Sequence, residues 1–184
     1  MSEFRSGPLT IKAIRMVAQA IRDFYGISND KPFPIAHFIE NMPRMFAKTG
    51  FEFHVLTDSN PRLDDKHPAN TDVANHIMYM KQTTYDNMCD GHGFERFTGS
   101  HEVGHYILSC VYGVPLYRTL SDDEDVPSYM NPEWQADTFA AELLMPYDEC
   151  LYLSVEEIER RYCVSKKAAQ TRFNKINGIS KIIL

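Results

Sequence analysis

Cysteine and basic charge are both scarce in this sequence, and each scarcity excludes a class of protein. Only four of the 184 residues are cysteine, and none form a CxxC pair. A disulfide scaffold is therefore not expected, and the four thiols are predicted to be reduced. Acidic residues outnumber Lys and Arg by 25 to 19, which argues against a nucleic-acid-binding surface over the whole chain.

Long apolar runs are also missing. The first residues, Met1–Gly7, contain no apolar segment of the kind that signal peptides have, and no run is long enough to cross a bilayer. We therefore expect a cytoplasmic protein with no membrane partner. No internal repeat or low-complexity tract is present, and 43% hydrophobic residues suit one compact core.

The spacing of apolar residues predicts helices separated by a few short strands. The predicted helices are Pro8–Tyr25, Pro34–Ala47, Phe97–Tyr112, a helix capped by Asn131 and stopped by Pro146, Val155–Arg161, and Ser165–Ile176. The predicted strands are Phe51–Leu56 and Ile77–Met80. The polar segments Thr57–Asn75 and Ser121–Asp125 are expected to be loops.

The motif that carries chemistry is His101-Glu102-Val103-Gly104-His105, an HExxH pattern. Histidines four residues apart project from one face of a helix, so His101 and His105 can bind the same zinc ion. Glu102 points about 100° around the helix, where it can act as a base on water. For this motif alone, the alternative is two ordinary helix histidines beside a solvated glutamate.

A third ligand is needed for a catalytic zinc site, and Glu133 is the candidate. It lies in the first turn of the next predicted long helix, and Asp137 follows one turn later on the same face. We predict that Glu133 completes the metal shell and that Asp137 orients a ligand histidine through the far ring nitrogen. The alternative for Glu133 is an exposed acid favoured by the helix dipole.

Two segments together resemble the ImmA/IrrE metallopeptidases. The first is Arg96-Phe97-Thr98-Gly99-Ser100 followed by the HExxH motif, and the second is Glu133-Trp134-Gln135-Ala136-Asp137-Thr138-Phe139-Ala140-Ala141-Glu142-Leu143-Leu144-Met145-Pro146. The strong match covers Arg96 to Pro146. The pair Gly99-Ser100 departs from the family pattern, which has an apolar residue and alanine there.

The resemblance implies a zincin-like α+β fold with a small sheet beside the HExxH helix. It implies zinc held by His101, His105 and Glu133, with Glu102 as the base. It further implies a narrow-specificity endopeptidase that cleaves a helix-turn-helix repressor or an antitoxin-type regulator. Residues 1–150 would form the peptidase core, and residues 151–184 a helix-turn-helix-like appendage.

Two details of the reaction stay open at this level. Tyr129, His92 and Tyr106 are the candidates for a donor to the oxyanion, although each also suits a structural role. The segment Ile77–Lys81 is either an edge strand that takes up an extended peptide or an ordinary core strand.

The C-terminal helices allow a second function. Val155–Ile176 resembles a helix-turn-helix, and its second helix carries Lys166, Lys167 and Arg172 as candidate contacts to DNA or a protein partner. The first helix is acidic, and the apolar residues of both have the spacing to pack on the core, so DNA binding is not favoured. The alternative to the peptidase is therefore a non-enzymatic, zinc-containing regulator that binds DNA or a repressor.

Overall fold

A computed structural model of the chain describes residues 4–118 and 126–180. Within these residues, helices dominate and the strands are short, so the predicted α+β class is confirmed. The segment Ser121–Asp125, expected to be an acidic loop, lies outside the described residues. None of the helices in the described ranges is long and apolar enough to cross a membrane.

The order of elements follows the sequence-based expectation with five additions, the helices α3 and α6 and the strands β1, β3 and β5. The helices are α1 (Ile11–Phe24), α2 (Ile35–Met45), α3 (Gln82–Cys89), α4 (Gly93–Tyr106), α5 (Pro132–Leu144), α6 (Tyr147–Cys150), α7 (Val155–Tyr162) and α8 (Lys166–Ser180). The strands are β1 (Phe4–Ser6), β2 (Glu52–Leu56), β3 (Ala69–Asp72), β4 (Ile77–Lys81) and β5 (Leu116–Arg118).

The main sheet has three strands in the order β2-β4-β3, with β2 parallel and β3 antiparallel to β4. The strand β4 is therefore central, which decides against Ile77–Lys81 as an edge. Among the described strands, β2 lies at one edge of this sheet and β3 (Ala69–Asp72) at the other, and β3 falls in a segment expected to be a loop. The sequence does not predict the strand β3, because Ala, Asn and Asp are all poor strand formers.

The helix α4 packs on α5 across a very small residue. A β-carbon added to Gly104 would lie 3.0 Å from a ring carbon of Phe139 and 3.2 Å from the Cα of Ala136. Such distances are tighter than ordinary van der Waals contact, so the glycine is what lets the two helices approach closely. This contact fixes the distance between the HExxH motif and the start of α5.

Side-chain packing accounts for Gly99-Ser100, the pair that departs from the ImmA/IrrE-like pattern. A β-carbon on Gly99 would come within 2.6 Å of the sulfur of Met88 and 3.1 Å of Ile39. Ser100 is fully buried, and its hydroxyl donates to the backbone oxygen of Arg96 at 2.9 Å. Both residues are therefore matched to their neighbours in α2, α3 and α4.

The C-terminal helices are part of the same hydrophobic core as the rest of the chain. Ile158, Tyr162 and Ile176 are buried in the cluster that also contains residues of α1 to α5. The turn between α7 and α8 rests on the start of α4, because a β-carbon on Gly93 would lie 2.2 Å from the backbone nitrogen of Ser165. The division into residues 1–150 and 151–184 stays a prediction.

A buried ion cluster joins α8 to α5 and α1. Arg172 donates two hydrogen bonds to the carboxylate of Glu142, at 2.9 and 2.8 Å, and Arg15 donates two more, at 3.0 and 3.2 Å. The carboxylate has all of its strong acceptor positions filled. Burial opposes the charge on Glu142, but the bonds from Arg172 and Arg15 outweigh it and lower the pKa of this group.

Candidate metal centre

The helix α4 places its two motif histidines on one face, as their spacing requires. The Nε2 atoms of His101 and His105 lie 3.0 Å apart. Both rings are partly buried, with side chains 19% and 18% exposed. The pair therefore presents two nitrogen atoms to a single point while remaining accessible from the surface.

The helix α5 brings a carboxylate to the same point. Asn131 caps the helix by accepting hydrogen bonds from the backbone nitrogens of Glu133 and Trp134, and Pro132 occupies the first turn. Glu133 Oε2 lies 3.2 Å from His101 Nε2, and Oε1 lies 3.5 Å from His105 Nε2. Glu133 is thus the residue that joins the two histidines across the helix pair.

Asp137 lies one turn along α5 and contacts the other side of the His101 ring. Its Oδ1 accepts a hydrogen bond from His101 Nδ1 at 2.8 Å. This bond directs the Nε2 atom toward His105 and Glu133, as outer partners of metal-ligating histidines do. The structure therefore brings Asp137 to the position expected from the sequence.

The electrostatics of the cluster call for a positive charge at its centre. Burial opposes protonation of His101, but hydrogen bonds to Asp137 and Glu133 and the charge of Glu102 outweigh it, and the pKa of His101 rises to about 10. Hydrogen bonds from His101 and His105 hold the pKa of Glu133 well below its usual range. A divalent cation bound by these side chains would supply that charge.

The donor set fits zinc. Tetrahedral zinc with bonds of about 2.0–2.1 Å places neighbouring ligand atoms about 3.3 Å apart. The two histidine nitrogens lie 3.0 Å apart, and they lie 3.2 and 3.5 Å from the two different carboxylate oxygens of Glu133, so the separations are close to that value. Two imidazole nitrogens with one carboxylate also leave a fourth position open, as catalytic zinc sites do. Within the described part of the chain, this is the one group of three such side chains close enough to hold a metal.

Glu102 lies beside the cluster and is itself buried, with 8% exposure. It lines the same cleft as His101 and His105. Its backbone oxygen accepts a hydrogen bond from the hydroxyl of Thr71 in β3, at 3.1 Å. This bond ties the edge strand of the sheet directly to the motif.

The cluster opens into a cleft of about 1310 Å³. One wall is the edge strand β3 with the residues on either side of it, Lys66 to Ala74, and the opposite walls come from α4, the start of α5 and Val114–Leu116. Sequence reasoning missed the β3 wall, because three of its four residues are poor strand formers. Ser109 also lines the cleft, and its place four residues after His105 is the one signal that could have identified it.

None of the three candidate oxyanion donors is among the residues that line this cleft, and burial contradicts that role for Tyr106. Tyr106 is fully buried, and its hydroxyl contacts Thr49 at 2.8 Å and His76 at 3.3 Å, within an aromatic part of the core. His92 precedes α4 and is exposed, and Tyr129 is half exposed two residues before Asn131, which lines the cleft. A donor role for these two residues stays a prediction.

The candidate contacts on α8 have different outcomes. Lys166 and Lys167 lie exposed at the start of the helix, where a partner could reach them. Arg172 is buried, with 5% exposure, and both of its terminal nitrogens are bonded to Glu142. The prediction of a DNA or partner contact for Arg172 is therefore wrong, because its charge is used inside the core.

Comparisons with known proteins find a matching family model and a solved structure with a similar fold. Residues 87–174 match the model of the Peptidase M78 family, described as the IrrE N-terminal-like domain. No curated protein matches. A solved structure of a Mycobacterium tuberculosis transcriptional regulator matches with a TM-score of 0.51 and 15% identity, over 88% of this chain and 46% of the regulator. This chain thus spans about half the length of that protein, and the likeness concerns the fold.

Proposed function

The chain belongs to the Peptidase M78 family through its IrrE N-terminal-like segment, residues 87–174, and on this premise we propose that it is a zinc-dependent endopeptidase. The resemblance to the ImmA/IrrE metallopeptidases is confirmed at the level of the family. The proposed reaction is hydrolysis of a peptide bond in a helix-turn-helix repressor or an antitoxin-type regulator. A cytoplasmic location goes with such a substrate.

One observation carries the proposal. The donor atoms of His101, His105 and Glu133 lie within 4.8 Å of one another, beside Glu102 and at the wall of an open cleft. A purely structural zinc site is normally closed by four protein ligands, and it has no use for an adjacent buried carboxylate. An open shell next to a base is the arrangement that hydrolysis requires.

Each residue of the site has a separate task in this proposal. Zinc, when bound by His101, His105 and Glu133, supplies the Lewis acidity that makes water nucleophilic at neutral pH. Glu102 accepts a proton from the attacking water on its carboxylate and passes it to the nitrogen of the leaving amine. Asp137 holds the His101 ring in the tautomer that presents Nε2 to the site.

In this proposal, the edge strand β3 holds the substrate. In the described residues, β3 is hydrogen-bonded to β4 on one side, and its residues line the cleft. An extended peptide can add to such an edge through main-chain hydrogen bonds, while side-chain pockets select its sequence. An unfolded or linker segment of a regulator can adopt this extended conformation.

The first experiment measures metal by elemental analysis in the wild type and three variants. We expect about one zinc per chain in the wild type, reduced zinc in His101→Ala and Glu133→Ala, and full zinc in Glu102→Gln. Glu156→Gln, on the exposed side of α7, is the control for a lost carboxylate. Wild-type protein that takes up no zinc when zinc is supplied would refute the proposal.

The second experiment follows cleavage of candidate helix-turn-helix repressors by mass spectrometry. We expect the wild type and Glu156→Gln to cut one repressor at a defined bond, and Glu102→Gln to hold zinc but lose cutting by at least 100-fold. A regulator that works by binding alone, through Lys166 and Lys167, would instead keep its effect on transcription in Glu102→Gln and lose it when both lysines are replaced.

A further inference from the structure

The metal cleft has two ends that differ in chemistry. Phe94 and Phe97 of α4 line it before the metal ligands and form the aromatic end. Ser109 and Val114–Leu116 line it after the ligands and form the aliphatic end. The backbone nitrogen of Val114 donates to the oxygen of Leu108 at 2.9 Å, which holds this segment beside Ser109. A bound peptide would therefore meet different surfaces on the two sides of the metal centre.

The two phenylalanines lie on the face of α4 that carries His101. Phe97 precedes His101 by one helical turn, and Phe94 precedes it by two. At 1.5 Å of rise per residue, they lie about 6 and 10 Å from His101 along the helix axis. An extended peptide advances about 3.3 Å per residue, so the rings lie beside substrate residues within about three positions of the bond to be cut.

The aromatic end presents apolar surface to the cleft. Phe94 is 62% exposed, although it is a large apolar residue. Phe97 is partly buried and packs against the hydrophobic core, which fixes its position. The hydroxyl of Thr98, which also lines the cleft, donates to the backbone oxygen of Phe94 at 3.2 Å and is satisfied within the helix. A ligand that covers the exposed Phe94 ring would gain the free energy of burying apolar area.

Two contacts show how the edge strand β3 runs past α4. The hydroxyl of Thr71 donates to the backbone oxygen of Glu102 at 3.1 Å, and the thiol of Cys110 donates to the backbone oxygen of Val73 at 3.6 Å. The strand therefore runs in the same direction as the helix, and its start lies toward the aromatic end of the cleft. A peptide that adds to β3 extends along the helix and brings its side chains to that end.

We propose that the aromatic end of the cleft is a specificity subsite that binds an aromatic side chain of the substrate. This inference rests on the proposed peptidase function and deepens it, because it states which residue type the cleaved segment carries. The substrate ring packs on Phe94 and Phe97, since aromatic pairs are favoured beyond the area that they bury. Phe94 and Phe97 are specificity-determining residues in this proposal, and the bond-cutting groups are unchanged.

Two hydroxamates test the subsite by binding, without a peptide substrate. The probes are 3-phenylpropanohydroxamate and acetohydroxamate, which share a zinc-binding group and differ by one benzyl group. Calorimetric titration of the zinc-loaded protein gives both dissociation constants. We expect about tenfold tighter binding of the phenyl probe, because its ring is buried at the aromatic end. The zinc-free protein should bind neither probe measurably, since neither is then anchored.

Three variants locate the phenyl ring. Phe94→Ala should remove most of the roughly tenfold preference for the phenyl probe and leave the affinity for acetohydroxamate unchanged. Leu116→Ala truncates an apolar residue at the aliphatic end and should weaken the phenyl probe less than Phe94→Ala does. Tyr152→Ala, which removes a 90% exposed aromatic ring that does not line the cleft, should change neither affinity.

Failure of the subsite and failure of the metal centre give different results. Equal affinities of the two probes for the zinc-loaded wild type would overturn the subsite and leave the metal centre intact. A preference for the phenyl probe that survives in Phe94→Ala, or that Leu116→Ala reduces as much, would also overturn it. A wild-type protein that takes up no zinc and binds neither probe would refute the metal centre, and the subsite with it.

Discussion

Gly104 of α4 lies directly against Ala136 of α5, so that a β-carbon on the glycine would stand 3.2 Å from both the Cα and the backbone oxygen of the alanine. This contact lies between the motif histidines and the carboxylates of α5. It sets the separation at which Glu133 and Asp137 reach His101. The geometry of the metal centre therefore depends on a residue that carries no functional group.

We expect Gly104→Val to separate the two helices. Overpacking of this kind costs about 1–3 kcal/mol of unfolding free energy, and displacement of Glu133 should lower zinc affinity as well. Thermal unfolding and zinc titration measure the two effects. Gly178→Val is the control, since Gly178 lies in α8 with open space around it. Unchanged zinc affinity in a folded Gly104→Val protein would contradict this account.

Asp137→Asn should weaken zinc binding without abolishing it. The variant loses the charged acceptor that orients His101, and changes in such outer partners typically cost about 10–100-fold in metal affinity. Competition with a chromophoric chelator gives the dissociation constant. Asp148→Asn, an exposed acid in α6, should leave that constant unchanged. Equal zinc affinities for the two variants would show that Asp137 has no part in zinc binding.

Gly93→Ala should destabilise the protein strongly. The added methyl group would meet the backbone of Val164 and Ser165 at 2.2 Å, and backbone atoms cannot move aside as flexible side chains do. We expect a loss of about 3 kcal/mol, measured by urea unfolding. Gly178→Ala, where helix propensity favours alanine, should instead gain up to about 1 kcal/mol. A neutral Gly93→Ala would mean that the turn between α7 and α8 is not packed on α4.

Glu142 should make the stability depend on pH. Burial disfavours its charge, but the bonds from Arg172 and Arg15 dominate, and the folded-state pKa is lowered from 4.5. The stabilisation is therefore present above pH 4.5 and is lost as the pH falls through the lower folded-state pKa. We expect the unfolding free energy of the wild type to fall over this acidic range.

Glu142→Gln isolates this contribution. The variant leaves Arg172 buried beside a neutral partner, so we expect a loss of about 3–5 kcal/mol at neutral pH. The difference from the wild type should narrow as the pH falls from 4.5 through the lower folded-state pKa of Glu142, because the folded wild type then also becomes protonated. Glu149→Gln, which breaks an exposed pair with Arg161 at 4.0 Å, should cost less than about 1 kcal/mol at any pH. A constant difference between Glu142→Gln and wild type down to pH 3 would contradict the assignment.

The sequence by itself determined the local parts of the site. The spacing of His101 and His105 on one helix face follows from 3.6 residues per turn. The start of α5 follows from Asn131 and Pro132, whose capping chemistry acts within a single turn. The position of Glu133 in that first turn was predictable for the same reason.

Only the tertiary structure decided how distant segments meet. The strand β3 forms because it pairs with β4 and bonds to α4 through Thr71, and its own residues do not favour a strand. Arg172 was expected on the surface because charged side chains usually lie there. It lies instead in the core, where Glu142 from another helix neutralises its charge. Local propensity extends over a few residues, whereas burial and ion pairing depend on neighbours that are far apart in the chain.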